Sequence, residues 1–214
     1  MLVDLSHTVE HGMVTYQGLP APVISDFLTR QASRSRYAGG TEFHIGRIDM
    51  VANTGTYLDA PAHRFAEGAD VAAIELDRVA DLSTVLVHTA GPAEASAVQN
   101  LDLRGKALLI HTGWSRHWRT DTYFNNKHPF VTRAAAEVMA KSGVRVVGID
   151  SYNIDDTSDL TRPAHTELLR AGVLIVEHLT NLDALPDSGA IRFFAVPVKV
   201  RGLGTFPVRA FAMV

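Results

Sequence analysis

The chain has 214 residues and a net charge of −3, from 20 basic and 23 acidic side chains, and 46% of its residues are hydrophobic. This composition is typical of a globular protein, and no Lys/Arg cluster indicates a nucleic-acid-binding surface. The absence of cysteine excludes disulfides, thiolate catalysis and cysteine-ligated zinc. The N-terminus lacks the features of a signal peptide, and no apolar run reaches the ~18–20 residues of a membrane span. We therefore expect a cytoplasmic protein that binds neither nucleic acid nor membrane.

Short β-strands with a few helices between them are predicted along the chain. Strands and helices alternate over 107–177, and strands alone are predicted on either side of this region. This order predicts an α/β fold with a mixed sheet, in a single domain over 1–214. The predicted strands cover 2–5, 41–51, 53–59, 82–89, 107–112, 144–149, 173–177, 193–200 and 208–214, the helices cover 93–99, 132–142 and 163–171, and loops cover 12–22 and 33–40.

The segment 53–63 is the most informative part of the sequence. Along a strand, side chains alternate between faces, so Asn53, Tyr57 and Asp59 are predicted to share one face, with His63 just beyond the strand. A carboxylate and an imidazole are common ligands of Zn²⁺ and Mn²⁺. The spacing is equally compatible with Asp59 as a turn cap and His63 as a surface residue.

A second group of polar residues follows later strands and helices. His165 lies early in a predicted helix, and Glu177 ends an apolar strand, where a buried carboxylate needs a partner or a metal. The alternative is that Glu177 emerges into water at the sheet edge. Asp150 follows another strand end, and Asp155 with Asp156 is interpreted as a solvated turn.

Other chemistries have weaker support in the sequence. Ser115 is not in a Gly-x-Ser-x-Gly motif, and no glycine-rich phosphate loop follows a strand. Trp114 and Trp118 are four residues apart, which favours packing over cofactor stacking. The aromatic and histidine residues of 111–130 indicate a lid or an interface.

Several motifs together resemble the cyclase family of metal-dependent hydrolases, which includes bacterial kynurenine formamidase and isatin hydrolase. The main motif is Thr-Gly-Thr-x-x-Asp-Ala-Pro-x-His over 54–63. The other matching motifs occur in the family's order over almost the whole chain: Asp4-Leu5-Ser6, Gly12-Met13 with Tyr16, His111-Thr112-Gly113-Trp114, Gly148-Ile149-Asp150, Ala164-His165 with Leu168-Leu169, Glu177-x-Leu179-x-Asn181-Leu182 and Pro207-Val208-Arg209-Ala210.

The resemblance implies roles for individual residues. In the family, a His-x-Gly-Thr-His-x-Asp stretch contributes two histidines to a first metal, and here Asn53 and Tyr57 replace them. His44 is an unsuitable substitute, because its odd offset of nine residues points it to the opposite face of an unbroken strand. The ligands of the second metal are retained, so one Zn²⁺ or Mn²⁺ ion is expected on Asp59, His165 and Glu177. His63 matches the family's proton shuttle, and Tyr16, Asn53 and Tyr57 are the expected substrate-binding residues.

The resemblance also implies a fold and an activity. The fold is a β/β/α sandwich of the swivelling type that assembles as a homodimer or a larger homo-oligomer. The activity is hydrolysis of an amide, or a related ester or lactam bond, of a small molecule by metal-activated water. Two alternatives stay open: a metal-free binding protein or pseudoenzyme, and a lyase or isomerase that uses the same site.

Overall fold

The computed structural model describes residues 1–214, and a nine-stranded mixed sheet forms its centre. The strand order is β1-β11-β9-β5-β6-β7-β8-β4-β10. Strands β5 to β8 are parallel, and the strands on either side of them pair antiparallel. The strands are β1 (Leu2–Asp4), β2 (Val23–Leu28), β3 (Ile45–Asp49), β4 (Tyr57–Asp59), β5 (Leu82–His88), β6 (Ala107–His111), β7 (Val146–Ile149), β8 (Leu174–Glu177), β9 (Arg192–Phe194), β10 (Thr205–Pro207) and β11 (Phe211–Met213).

The sheet separates two hydrophobic cores because its central strands are apolar on both faces. Along β6, Leu109 packs into one core, while Leu108 and Ile110 pack into the other. All three are fully buried, as expected for central parallel strands covered on both sides. Side chains alternate in the same way along β8: Val176 packs into the core that contains Leu109, and Ile175 packs into the second core, which contains Leu108 and Ile110.

Three α-helices accompany the sheet: α1 (Arg30–Ser33), α2 (Arg133–Ser142) and α3 (Pro163–Arg170). Helix α2 begins where the Thr132 hydroxyl accepts a hydrogen bond from the Ala135 N–H, and it ends at Gly143, which adopts a left-handed conformation. Pro163 starts α3 at a position where its missing N–H costs nothing. Residues of α2 and α3 cover one face of the sheet and form the second core. None of the helices combines the length and apolar character that a membrane crossing requires.

Strands β2 and β3 form a separate antiparallel hairpin outside the main sheet. Its side chains are largely exposed, with Phe27 at 70% and Ile48 at 56% exposure. The predicted strand over 41–51 therefore exists, shortened, in this hairpin and not in the main sheet.

The predicted α/β fold with a mixed sheet is confirmed, but several predicted elements were wrong in extent. The segment 53–59 is a strand only over Tyr57–Asp59, because Gly55 has a φ of +67° and breaks the extended backbone. The predicted helix over 93–99 is a single 3-10 turn, since the Ala93 N–H and C=O bond to Phe130 and Thr132. The predicted strands over 193–200 and 208–214 are shortened to β9 and β11.

Candidate active site

Strand pairing and the α3 helix bring the predicted metal-binding residues together. Tyr57 on β4 lies opposite Glu177 on β8, so both side chains project from the same face, and Asp59 follows two residues later. That face is covered by α3, whose first turn contributes His165. His63 closes the short 3-10 turn Pro61–His63 directly after β4.

The distances between these side chains suit a shared cation. The His165 Nε2 atom is 3.6 Å from Asp59 Oδ2 and 3.9 Å from Glu177 Oε2. Two nitrogen or oxygen ligands held at ~2.0–2.2 Å from one ion lie up to ~4 Å apart. The Asp59 Oδ2 atom is buried and has no hydrogen-bond partner in the protein, which leaves it free for such an ion. The residues present therefore fit a divalent metal.

Asp155 fixes the orientation of the His165 ring. Its buried carboxylate accepts hydrogen bonds from the Ala164 N–H at 2.5 Å and the His165 N–H at 3.2 Å. It also lies 2.6 Å from His165 Nδ1. A carboxylate can only accept here, so Nδ1 has a proton and Nε2 points towards Asp59 and Glu177. In the neutral ring that would bind a cation, the lone pair is therefore on Nε2. This carboxylate–histidine arrangement is common behind metal-ligating imidazoles.

Thr205 determines which nitrogen of His63 is free. The Thr205 hydroxyl donates to Asp59 Oδ1 and lies 2.7 Å from His63 Nδ1. Because its single proton goes to the carboxylate, the hydroxyl accepts from the His63 Nδ1–H. The lone pair of His63 is then on Nε2, and its side chain is 35% exposed.

Two residues compete for the position of third metal ligand beside Asp59 and His165. One is His63, since the ligand atoms of Asp59, His63 and His165 lie within 4.8 Å of one another. We favour Glu177 over His63 as the third ligand, because the buried Glu177 carboxylate lies 3.9 Å from His165 Nε2, whereas the His63 side chain is 35% exposed.

Tyr57 and Ile154 hold the Glu177 carboxylate. The Tyr57 hydroxyl donates to Oε2 and the Ile154 N–H donates to Oε1, both at 2.6 Å. Tyr57 and Glu177 are both 1% exposed, so the prediction of a functional, buried Glu177 is favoured over the sheet-edge alternative. Asn53 lies beside the Tyr57 phenol and is half-buried.

Burial and mutual charge displace the pKa values of this cluster. Burial, with the charge of Asp59, raises the pKa of Glu177 to about 7, although His165 opposes the shift. Burial alone would lower the pKa of His165, but Glu177, Asp155 and Asp59 outweigh it and raise the value to about 10. Burial opposes ionisation of Asp59 too, and contacts with His165, His63 and Thr205 keep its pKa below the ordinary value. The metal-free cluster thus holds excess negative charge that attracts a cation.

A pocket of about 220 Å³ opens over the cluster. Tyr16 is part of its wall and stacks on Tyr152, with ring centroids 4.6 Å apart. The complete lining is polar apart from the two tyrosine rings: Tyr16, Asn53, Tyr57, His63, Arg64, Asn153, Arg162, His165 and Glu177.

The structure thus brings all seven predicted site residues to one place, with Asp59 buried directly behind the pocket lining. It differs for Asp155, whose interpretation as a solvated turn residue was wrong, because its carboxylate is fully buried. The Asp156 carboxylate, in contrast, accepts hydrogen bonds only from Ser158 in a turn. His44 is remote from the site and bonds to Asp26 on the β2–β3 hairpin.

Residues outside the recognised motifs were missed. The sequence gave no signal for Thr205, Arg64 or Arg162. The role of Thr205 depends on the pairing of β10 with β4, and the roles of the two arginines depend on the shape of loops beside the pocket. The aromatic residues of 111–130 pack inside this chain, as in the stacking of Trp118 on His7 at 3.9 Å. This supports the packing interpretation of Trp118.

Comparison with known proteins supports the same class of site. Residues 3–156 match the model of the Cyclase family. The kynurenine formamidase of Geobacillus thermodenitrificans is 34% identical over 170 residues, covering 78% of each chain. The kynurenine formamidase of Bacillus cytotoxicus is 29% identical over 217 residues, which cover 97% of this chain and 95% of the relative.

Solved structures agree with the fold over the full length. A protein described as a potential metal-dependent hydrolase with cyclase activity superposes with a TM-score of 0.79 at 27% identity, covering 99% of this chain and 96% of the other. An isatin hydrolase bound to the product analogue thioisatinate gives a TM-score of 0.84 at 18% identity, covering 100% and 92%. The second likeness shows the fold alone.

The chain belongs to the cyclase family. The relatives are named as formamidases and hydrolases, which confirms the predicted class of metal-dependent amide hydrolase. The metal-free binding protein is not favoured.

Proposed function

We propose that this chain hydrolyses an amide bond of a small molecule with one divalent ion on Asp59, His165 and Glu177. The observation that supports this most strongly is that His165 Nε2 lies 3.6 Å from Asp59 Oδ2 and 3.9 Å from Glu177 Oε2, while Asp59 Oδ2 is buried without a hydrogen-bond partner. A protein without a metal would have to bury this oxygen unsatisfied, which is unfavourable. A related ester or lactam bond suits the same site.

The bound ion would lower the pKa of a water molecule and polarise the substrate carbonyl. The protein then has to move one proton, from that water to the leaving nitrogen. His63 is suited to this step because its free Nε2 belongs to a ring that lines the pocket, while Thr205 holds Nδ1–H. We assign His63 as the proton shuttle.

The residues that replace the two signature histidines are assigned to substrate and carboxylate positioning. Asn53 lines the pocket and can donate an N–H to the substrate carbonyl as negative charge develops on its oxygen. Tyr57 also lines the pocket, but its hydroxyl already donates to Glu177, so it fixes this carboxylate. Tyr16, backed by Tyr152, offers a flat wall for a substrate ring.

The number and identity of the metal are open to direct measurement. Nitrogen and oxygen ligands suit both Zn²⁺ and Mn²⁺. We expect one ion per chain by elemental analysis of protein purified without added metal, and less than a tenth of this occupancy in His165→Ala. Protein that stays metal-free at saturating Zn²⁺ and Mn²⁺ contradicts the proposal. His11→Ala, outside the site, is the matched control.

The type of reaction is tested separately by mass spectrometry. Hydrolysis adds one water to the substrate and yields two products, or one product of higher mass from a lactam. A lyase splits the substrate without adding water, and an isomerase leaves its mass unchanged. Products without added water, or an unchanged substrate mass, on a panel of amides would contradict hydrolysis and indicate a lyase or an isomerase.

We further propose that the chain self-associates through the β2–β3 hairpin. The support is a group of exposed apolar side chains on a hairpin that lies outside the main sheet, including Phe27, Ile45 and Ile48. Light scattering after size-exclusion chromatography should give a dimer or larger species, and Phe27→Asp should shift it towards the monomer. Leu160→Asp, at an isolated exposed leucine, should not. A monomeric wild type refutes the assembly. We also propose a cytoplasmic location.

A further inference from the structure

Two histidines end neighbouring parallel strands, with β7 between them and the strand of Glu177. His88 is the last residue of β5 and His111 is the last residue of β6, and the two are paired in register. Side chains at the same register of adjacent strands project from the same face of a sheet. The two Nδ1 atoms lie 3.0 Å apart and the ring centroids 5.0 Å apart, so the rings face each other through these nitrogens.

A carboxylate lies behind each imidazole. Asp187 Oδ1 is 2.9 Å from His88 Nε2, which is a hydrogen bond, and Asp150 Oδ2 is 3.9 Å from His111 Nε2, which is an electrostatic contact. The buried Asp150 carboxylate is held in place by the Gly113 N–H, which donates to Oδ2 at 2.9 Å. A carboxylate accepts and does not donate, so it favours a proton on the Nε2 atom that faces it. Both rings are therefore set to present a lone pair at Nδ1.

The distance between the two Nδ1 atoms suits a shared cation. Two lone pairs that meet at 3.0 Å repel each other unless a proton or a metal ion lies between them. Carboxylates behind histidines, as seen here, are the usual arrangement at metal sites.

The same distance discriminates between metals. Two nitrogens that are 3.0 Å apart and each ~2.0–2.1 Å from one ion form an angle of roughly 90–100° at the ion. This is close to the right angle of tetragonal Cu²⁺ or Ni²⁺ coordination. It is narrower than the tetrahedral angle that Zn²⁺ prefers.

The surroundings provide space and negative charge for an ion. A cavity of about 420 Å³ adjoins the pair, and both histidines are part of its wall. It has room for the water molecules that complete a coordination shell. Arg116 is the one guanidinium in this wall, and its Nη1 donates to the Gly113 carbonyl oxygen at 2.9 Å. The carboxylates of Asp150 and Asp187 outnumber it, so the local charge favours a cation.

We propose that His88 and His111 form a second metal site, for a divalent ion that prefers tetragonal coordination, such as Cu²⁺ or Ni²⁺. The two Nδ1 atoms are its protein ligands, and the two carboxylates behind the rings orient them. With two protein ligands in place of three, the pair holds its ion less tightly than the site proposed above. It therefore binds an ion when the metal is present in solution, and one tightly held ion per purified chain is still expected. The pair does not take part in the proposed hydrolysis.

Calorimetric titration of Cu²⁺ into wild type and His88→Gln tests the site. Loss of one imidazole should weaken Cu²⁺ binding at the pair at least ~10-fold, since even a partner behind a ligand is typically worth that much. His44→Gln is the matched control and should bind Cu²⁺ like wild type, because His44 also contacts an aspartate, Asp26 at 2.7 Å, but not a second imidazole. Equal Cu²⁺ stoichiometry and affinity in wild type and His88→Gln overturn the proposal.

Pulsed electron paramagnetic resonance of bound Cu²⁺ identifies the ligands even if His88→Gln does not fold, which thermal denaturation reveals. His165→Ala leaves His63 as the single imidazole beside Asp59, so a copper ion with two imidazoles in this protein must lie elsewhere. We expect couplings from two imidazoles in His165→Ala, and from no more than one after His111→Gln is added. A copper signal with a single imidazole in His165→Ala, or no bound copper, overturns the proposal. Zn²⁺ binding by His111→Gln, which keeps the three ligands of the other site, shows whether the hydrolase site is intact independently of this result.

Discussion

Replacing Asp155 by asparagine tests whether a buried carboxylate orients the metal-binding imidazole. Asp155 accepts three hydrogen bonds, from the Ala164 N–H, the His165 N–H and His165 Nδ1–H. An asparagine of the same shape keeps one acceptor oxygen and turns an NH₂ group towards an N–H donor. Either the helix start or the imidazole then loses its partner.

The size of the effect follows from these contacts. A buried donor left without a partner costs about 1–3 kcal/mol, so Asp155→Asn should lower the free energy of unfolding by that amount. Loss of a carboxylate behind a ligating histidine typically weakens metal binding ~10–100-fold, or ~1.4–2.7 kcal/mol. Both effects share one cause, since a reoriented His165 no longer presents Nε2 to Asp59 and Glu177.

Isothermal titration with Zn²⁺ and urea denaturation of the metal-free protein measure the two effects. Asp156→Asn is the matched control, because the neighbouring carboxylate bonds only to Ser158 and should leave metal affinity unchanged. Equal Zn²⁺ affinity in Asp155→Asn and wild type would refute the orienting role. A loss of stability without a loss of Zn²⁺ affinity would show that Asp155 stabilises the start of α3 but does not orient the ligand.

Two further predictions concern pH and close packing. Burial and the charge of Arg119 lower the pKa of His7 from 6.5 to about 4, so the stability it contributes is present above pH 6.5 and lost as the pH falls through 4. Urea denaturation should therefore show that the free energy of unfolding of wild type falls by up to ~3 kcal/mol more than that of His7→Phe between pH 6.5 and pH 4. The same pH dependence in both proteins would contradict this prediction. A Cβ at Gly204 would lie 2.2 Å from the His63 backbone nitrogen. Gly204→Ala should therefore lower the free energy of unfolding by ~1–3 kcal/mol and reduce kcat. Gly91→Ala is the control, because a Cβ there has no neighbour within 4 Å, and it should change neither quantity. An unchanged kcat in Gly204→Ala would contradict the prediction.

Much of the fold could be predicted because its central strands are continuous apolar runs. The strands ending at His111, Ile149 and Glu177 were located from this pattern, and α2 from Thr132 and Gly143. The flanking strands were harder to predict, because strands of three residues are defined by the strands they pair with and not by sequence periodicity. The β10 strand, which pairs with β4, was missed for this reason.

Site prediction succeeded where the residue type itself restricts the chemistry. A glutamate that ends an apolar strand requires a partner, so Glu177 could be located in advance. Asp155 could not, because a loop with two adjacent aspartates gives no sign of which one turns inwards. Arg162 depends on a left-handed backbone that no local pattern specifies at an arginine followed by proline.

One divalent ion is proposed to lie between Asp59, His165 and Glu177. Anomalous diffraction from crystals soaked in Zn²⁺ or Mn²⁺, recorded on both sides of the metal's absorption edge, locates such an ion. We expect a single strong peak within ~2.0–2.2 Å of Asp59 Oδ2, His165 Nε2 and Glu177 Oε2. A peak bound by His63 in place of Glu177, two peaks of equal height, or no peak at saturating metal would contradict it.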